Sequence, residues 1–335
     1  MTSDIVLGAV FVAAATLSLA SSWVLIARIE RVGARFGLSE ALLGMVAALA
    51  GDAPEITAAI SALAAHDTRI GAGVVLGSNV FNLAALLGLS AVVAGRVALH
   101  RRVIEMNGAI GVWIAGACLL VVLGVLAPTA GLLVVAIVVA PYLWLLGIRH
   151  ERLAHSRLPR TWTRWLIEAI SEEELELESA IHPSRGGGRD ALLAALATLV
   201  VVGASVAMER SASQLGARHA VPEIVTGGLV LAAVTSLPNA VAAVYLAARG
   251  RGAAVLSTAL NSNALNVILG LIVPAAIVGL DGRSGQTAFV AGSYLALTVL
   301  ALMLAYFDRG LRRPHGAIVI GAYLAFVTAV LLMDG

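Results

Sequence analysis

Asp52 and Glu55 stand three residues apart around Pro54 in the stretch AGDAPEITAAISALA, residues 50–64, of a chain that is only 13% charged. On a helix that spacing puts both carboxylates on one face, while the proline between them removes a rung of the helical ladder. A carboxylate at membrane depth costs about 3 kcal/mol on insertion scales, so two this close need a cation, a proton or both. Ser78 and Asn82, four apart in GSNVFN at 77–82, add a hydroxyl and an amide on one face of the next apolar run. Carboxylate, amide, hydroxyl and carbonyl oxygens suit a hard cation such as Na⁺ or Ca²⁺, and the absence of soft ligands argues against zinc or copper. The two acids would titrate as a coupled pair. Protonation would discharge the site and release a metal, and metal binding would expel the proton.

The pattern recurs 184 residues later without a gap: Gly44 matches Gly228, Pro54 matches Pro238, Ser78 matches Ser262, Asn79 matches Asn263 and Asn82 matches Asn266. Chance agreement is expected for Ala, Leu and Val in apolar segments. It is not expected for one proline, one serine and two asparagines in a single register, which mark a duplication. The second copy places Ser236 and Asn239 where the first has Asp52 and Glu55, so it carries no carboxylate.

Such residues can be held together only by a membrane-embedded frame. The 335 residues are 60% hydrophobic with a mean hydropathy of +0.95, more apolar surface than one soluble core can bury. Runs able to cross about 30 Å of hydrocarbon at about 1.5 Å per residue fall at 5–27, 39–65, 70–95, 104–127, 130–148, 190–208, 223–248, 253–279, 286–306 and 315–333. The first follows MTSD, which lacks the positive start of a signal peptide, and is read as a transmembrane helix. Eighteen of the 22 arginines (there is no lysine) lie in the odd-numbered connections, which puts those connections in the cytoplasm and both termini outside. With five helices per half, the second half enters the membrane upside down. The expected fold is an all-α membrane protein of ten transmembrane helices in two inverted five-helix repeats, with helices 2 and 7 broken at Pro54 and Pro238. The repeats cover 1–148 and 189–335, joined by a cytoplasmic loop over 149–188. Inverted repeats with interrupted helices are a transporter signature, because a broken helix frees backbone groups to meet an ion, and irregular backbone survives in a bilayer only inside protein or beside a cavity.

APE at 53–55 with GSNVFN at 77–82, then TSLPN at 235–239 with NSNALN at 261–266, resembles the alpha repeats of the cation/calcium antiporter superfamily, which includes sodium/calcium and proton/calcium exchangers. The resemblance implies a midplane cluster for Na⁺ and Ca²⁺ built by helices 2, 3, 7 and 8. It makes Glu55 the principal metal-binding carboxylate of repeat one, with Ser78 and Asn82 as ligands from helix 3. In repeat two it points to Thr235, Ser236 and Ser262, with Asn266 where members carry Asp or Asn. Two departures stand out. Asn239 occupies the place of the second principal glutamate, and Asp52 stands where the family usually has serine, so the formal charge stays near −2. The resemblance further implies alternating access, helices 1 and 6 sliding against the core. The function expected is therefore secondary exchange of Ca²⁺ for Na⁺ or H⁺. The neutral second half leaves open a monovalent cation/proton exchanger, a passive cation channel or a non-transporting paralogue on the same fold.

Other classes fare worse. An intramembrane aspartyl protease needs two aspartates on different helices, and Asp4, Asp67, Asp190, Asp281, Asp308 and Asp334 all fall at termini or run ends. Serine chemistry lacks a histidine at membrane depth; all seven histidines fall in expected loops. The net charge of +2 gives no reason to expect nucleic acid, and the single Cys118 allows no internal disulfide. No enzyme activity and no covalent cofactor are expected; the partners are inorganic cations and the lipid bilayer, with a bacterial inner membrane as the expected location. Within the loop, the acidic run at 168–179 reads as a solvated helix face and its flank, with Trp162, Trp165 and Leu166 among arginines, as an interfacial helix.

Overall fold

Apolar runs of this length satisfy their backbone without water by forming helices. The computed structural model describes residues 3–36, 40–147, 161, 165–171, 186–280 and 284–333. In chain order its helices are α1 (Asp4–Arg35), α2 (Glu40–Gly51), α3 (Ala53–Ala64), α4 (Thr68–Ala94), α5 (Arg101–Val122) and α6 (Pro128–Gly147). Then follow α7 (Gly188–Arg218), α8 (Glu223–Leu237 continued by Asn239–Ala248), α9 (Gly252–Val278), α10 (Gly285–Asp308) and α11 (Arg313–Leu332). Among the described residues eight helices are long and apolar enough to cross a membrane, or nine if the two parts of α8 form one span.

The break anticipated at Pro54 opens two residues earlier. Asp52 alone separates α2 from α3, and Pro54 stands in the first turn of α3. Pro54 cannot donate to the carbonyl four residues back, and that carbonyl, on Ala50, instead accepts from Ser22 Oγ of α1 at 2.9 Å. The helical ladder stops with Asp52 N to Ala48 O at 2.8 Å and restarts with Ile56 N to Asp52 O at 2.9 Å. Asp52 is thereby held at the interruption itself. In the second half, α8 bends by 51° between its two parts. Both α4 and α9 widen into π-helical turns just after their duplicated motifs, at Leu83–Leu89 and at Asn266–Ile272, a distortion often found at functional sites.

Small residues set how closely the central helices cross. A Cβ on Gly77 of α4 would run into the backbone of Gly228 on α8, so glycine is required there for packing. Around this centre, α1, α6, α7 and α11 keep large apolar side chains such as Trp23, Ile137, Leu199 and Leu324 exposed, the surface a lipid-facing shell presents.

Helices α1 and α7 form an antiparallel pair fastened at both ends. Asp4 at the start of α1 meets Arg218 at the end of α7 at 2.7 Å. Asp190 at the start of α7 meets Arg28 late in α1 at 2.9 Å. Between them Ser18 Oγ and Ser205 Oγ lie 2.8 Å apart in the buried seam. These helices are longer than the apolar runs 5–27 and 190–208, and Arg28 and Arg218, which lie beyond those runs, find partners across the pair.

The fold is all-α as expected, with one short strand pair beside the helices. Arg96–Ala98 (β1) pairs antiparallel with Gly310–Arg312 (β2), Val97 facing Leu311. The connections after α4 and after α10 run side by side with Val97 and Leu311 buried, and buried backbone must find partners. The polar loop is not wholly solvated either. Residues 165–171 include a short helix whose Ala169 and Ile170 are buried against Met106 and Tyr142, and Glu168 pairs with Arg102. The rest of the acidic run, with Trp162 and with His150, His155 and His182, lies outside the described residues.

Gly77→Leu should destabilise the fold by at least about 3 kcal/mol, because the overpacked atoms meet backbone that cannot rotate away. Gly203→Leu on α7, where a Cβ meets nothing within 4 Å, serves as control. Thermal melts followed by size exclusion in detergent should show a large loss for the first and almost none for the second.

Candidate cation site

Each of the nine residues singled out in the sequence is buried: Asp52, Glu55, Ser78, Asn82, Thr235, Ser236, Ser262 and Asn266 fully, and Asn239 to within 7% of its surface. They come from the α2–α3 break, from α4, from α8 and from α9. Asp52 Oδ1 accepts from Asn239 Nδ2 at 2.6 Å and from Ser262 Oγ at 2.7 Å. Glu55 accepts from Ser236 Oγ through Oε1 and from Asn266 Nδ2 through Oε2, both at 2.5 Å. Asn82 Nδ2 reaches Ser262 Oγ at 3.2 Å, closing the link to α4. Hydrogen bonds to ionised acceptors are the strong ones, and these two carboxylates of the first half are held entirely by donors of the second.

The pattern exchanges under the 184-residue register. Asp52 with Asn239 maps onto Ser236 with Glu55, so one polar bridge is built twice with the acid on opposite sides of its partner. Ser78 occupies the position matching Ser262 but has no hydrogen-bond partner. Thr235 is buried, yet its Oγ1 donates to Leu231 O of its own helix at 2.9 Å, so no hydrogen bond ties it to the carboxylates.

Two residues of the duplicated motif do more than the spacing indicated. Asn79 Nδ2 donates to Asn263 O at 3.0 Å, and Asn263 Nδ2 donates to Asn79 O at 3.1 Å, fastening α4 to α9 reciprocally. The signal was present, since Asn79 and Asn263 share the register, but a match in sequence does not say that the two residues bond each other. Glu209 on α7 was not foreseen at all. It is 2% exposed and accepts from Ser61 Oγ of α3 at 2.8 Å, a contact between helices that no local pattern encodes.

Four oxygens of this cluster are buried without a donor: Asp52 Oδ2, Ser78 Oγ, Asn82 Oδ1 and Asn266 Oδ1. A buried polar atom left unpaired costs about 1–3 kcal/mol, and four in one buried cluster are an unfilled demand for a donor or a positive charge. Among the described residues no three of His, Cys, Asp and Glu gather as a metal cluster. A cation here would have to draw on amide and hydroxyl oxygens beside the two acids, which is the chemistry of hard ions.

A bundle of apolar helices around a sealed, oxygen-lined cluster is the build of an ion transporter. The sodium/calcium exchanger protein family matches residues 5–151 and 190–332, and the chain belongs to that family, within the cation/calcium antiporter superfamily. It is accordingly an integral membrane protein of an exchanger family, not an enzyme family. It is 27% identical to the inner membrane protein YrbG of Escherichia coli K12 over 248 residues, 72% of this chain and 71% of that protein. Its fold is similar to that of the H⁺/Ca²⁺ exchanger CAX, with a TM-score of 0.71 at 13% identity over 98% of this chain and 86% of the other. It is also similar to the sodium-calcium exchanger NCX_Mj, with a TM-score of 0.60 at 16% identity over 97% and 99% of the two chains.

Glu55→Gln should fold as well as the wild type, because the Ser236 hydroxyl can turn to accept while Asn266 still donates to the remaining carbonyl. Glu55→Leu strands both partners and should cost about 2–6 kcal/mol, about 1–3 for each. Melting temperatures of the two purified variants separate these outcomes.

Proposed function

We propose that the protein is a secondary cation antiporter that exchanges Ca²⁺ for Na⁺ or H⁺ by alternating access. The observation that carries this reading is the set of four donorless oxygens, one of them on Asp52, gathered in one buried cluster with two carboxylates. Asp52 and Glu55 would supply the charge, with Ser78, Asn82, Asn266 and Ser262 completing an oxygen cage, and with Ser236 and Asn239 orienting the acids. Thr235 would contribute through its free lone pairs. Two ionised acids balance a divalent cation, and both acids come from the first half because Asp52 makes up for the neutral Asn239. Family membership and the likeness to exchangers described as H⁺/Ca²⁺ and sodium-calcium favour the same cargo.

On this reading residues 1–148 and 189–335 are inverted five-helix repeats joined by 149–188, giving ten crossings with both termini outside a bacterial inner membrane. The exchange of hydrogen bonds under the 184-residue register and the E. coli inner membrane relative support it. Helices α1 and α7, paired along their length, would move as a unit against the core of α2, α3, α4, α8 and α9. Competition supplies the coupling: Na⁺ or H⁺ binding to the same oxygens lowers the negative charge that holds Ca²⁺.

In proteoliposomes, an imposed Na⁺ or proton gradient should drive Ca²⁺ uphill, which a channel cannot do. Asp52→Asn and Glu55→Gln should each lower the rate at least about tenfold, the loss expected when about 1.4 kcal/mol of binding or barrier energy is removed. Wild-type rates in both variants would refute the site, and downhill flux alone would refute exchange.

A further inference from the structure

Amides can face a cation with oxygen or with nitrogen, and only one orientation attracts it. In this protein the choice is forced from two backbone carbonyls. Asn79 O is an acceptor only, so the side chain of Asn263 must present Nδ2 to it, at 3.1 Å. Its Oδ1 then faces Asn82, which must answer with Nδ2, at 3.0 Å. Asn82 Oδ1 is left turned away from every donor in a fully buried site. The mirrored chain starts at Asn263 O, which accepts from Asn79 Nδ2 at 3.0 Å. Asn79 Oδ1 then takes Asn266 Nδ2 at 3.2 Å, and Asn266 Oδ1 is the oxygen left free.

We infer that Asn79 and Asn263 are positioning residues that fix the amide orientation of Asn82 and Asn266, and so decide that each offers an oxygen to the transported cation. The inference rests on the antiporter reading above and adds residues that need not touch the ion. The two halves are not equally dependent on it. Asn266 Nδ2 is also pinned by Glu55 Oε2 at 2.5 Å. Asn82 has only Ser262 Oγ, at 3.2 Å, as its other acceptor, a neutral hydroxyl whose one hydrogen goes to Asp52. Loss of Asn263 therefore leaves the Asn82 orientation to one long bond on a neutral hydroxyl, whereas loss of Asn79 leaves Asn266 held by a carboxylate.

The test uses a carboxylate as an amide that cannot be turned the wrong way. Asn263→Ala should raise the Ca²⁺ concentration for half-maximal uptake about tenfold, equivalent to about 1.4 kcal/mol, with the maximal rate changed far less. Asn79→Ala should raise it less than Asn263→Ala does. In an Asn82→Asp background, whose two oxygens are equivalent, adding Asn263→Ala should change the half-maximal concentration no more than about twofold. A merely structural Asn263 would cost the same in both backgrounds, and that result overturns the inference. If Asn263→Ala does not yield folded protein, Asn263→Ser enters the same cycle. The shift in melting temperature produced by Ca²⁺ or Na⁺ on the purified variants gives the same comparison without transport. A wild type that neither ion stabilises overturns this inference together with the antiporter reading; a stabilised wild type with background-independent losses overturns this inference alone.

Discussion

A polar group at membrane depth has no water to fall back on, and the hydrogen bonds of the central site answer that constraint. Pro54 leaves the Ala50 carbonyl without its helical donor, and Ser22 fills the gap from α1. Asp52 is left at the open joint, where Asn239 and Ser262 converge on one of its oxygens. Glu55, one turn on, is met by Ser236 and Asn266. The carboxylates of one half are thus solvated by the hydroxyls and amides of the other, and neither half could bury its own polar residues alone. Assembly of the two halves and formation of the site are the same event.

Much of this was legible in the chain because the relevant information was local or periodic. Charge is so scarce that Asp52 and Glu55 stand out, and the fixed register picked out Ser78, Asn82, Ser262 and Asn266 without any structure. The same register also matched Ser236 and Asn239 to the positions of the acids, but not their contacts with them. What stayed hidden depends on contacts between residues far apart in the chain. The helix gives way at Asp52 and not at Pro54 because the lost rung lies between Pro54 and Ala50. Thr235 turns its hydroxyl to its own helix, a choice that spacing does not fix. Asn79 and Asn263 bond each other across the two halves, and the Glu209–Ser61 contact joins α7 to α3.

The length of α1 and α7 shows the same limit. Apolarity ends before the helices do, and beyond it Arg28 and Arg218 each find an aspartate on the neighbouring helix. Surface ion pairs are individually weak, but a pair at each end with the Ser18–Ser205 contact between them fixes the sliding register of two antiparallel rods. An aspartate at each helix start also suits the local dipole.

The small ribbon of β1 and β2 makes the protein lopsided in a way its duplicated interior is not. It splices the exit of α4 to the turn between α10 and α11, and among the described residues strand pairing occurs nowhere else. Because α4 carries Ser78 and Asn82, the ribbon ties a helix of the site to α10 and α11 on one rim. A molecule that is nearly symmetric in its chemistry is therefore asymmetric in its backbone pairing, with a strand seam on one rim that, among the described residues, has no counterpart.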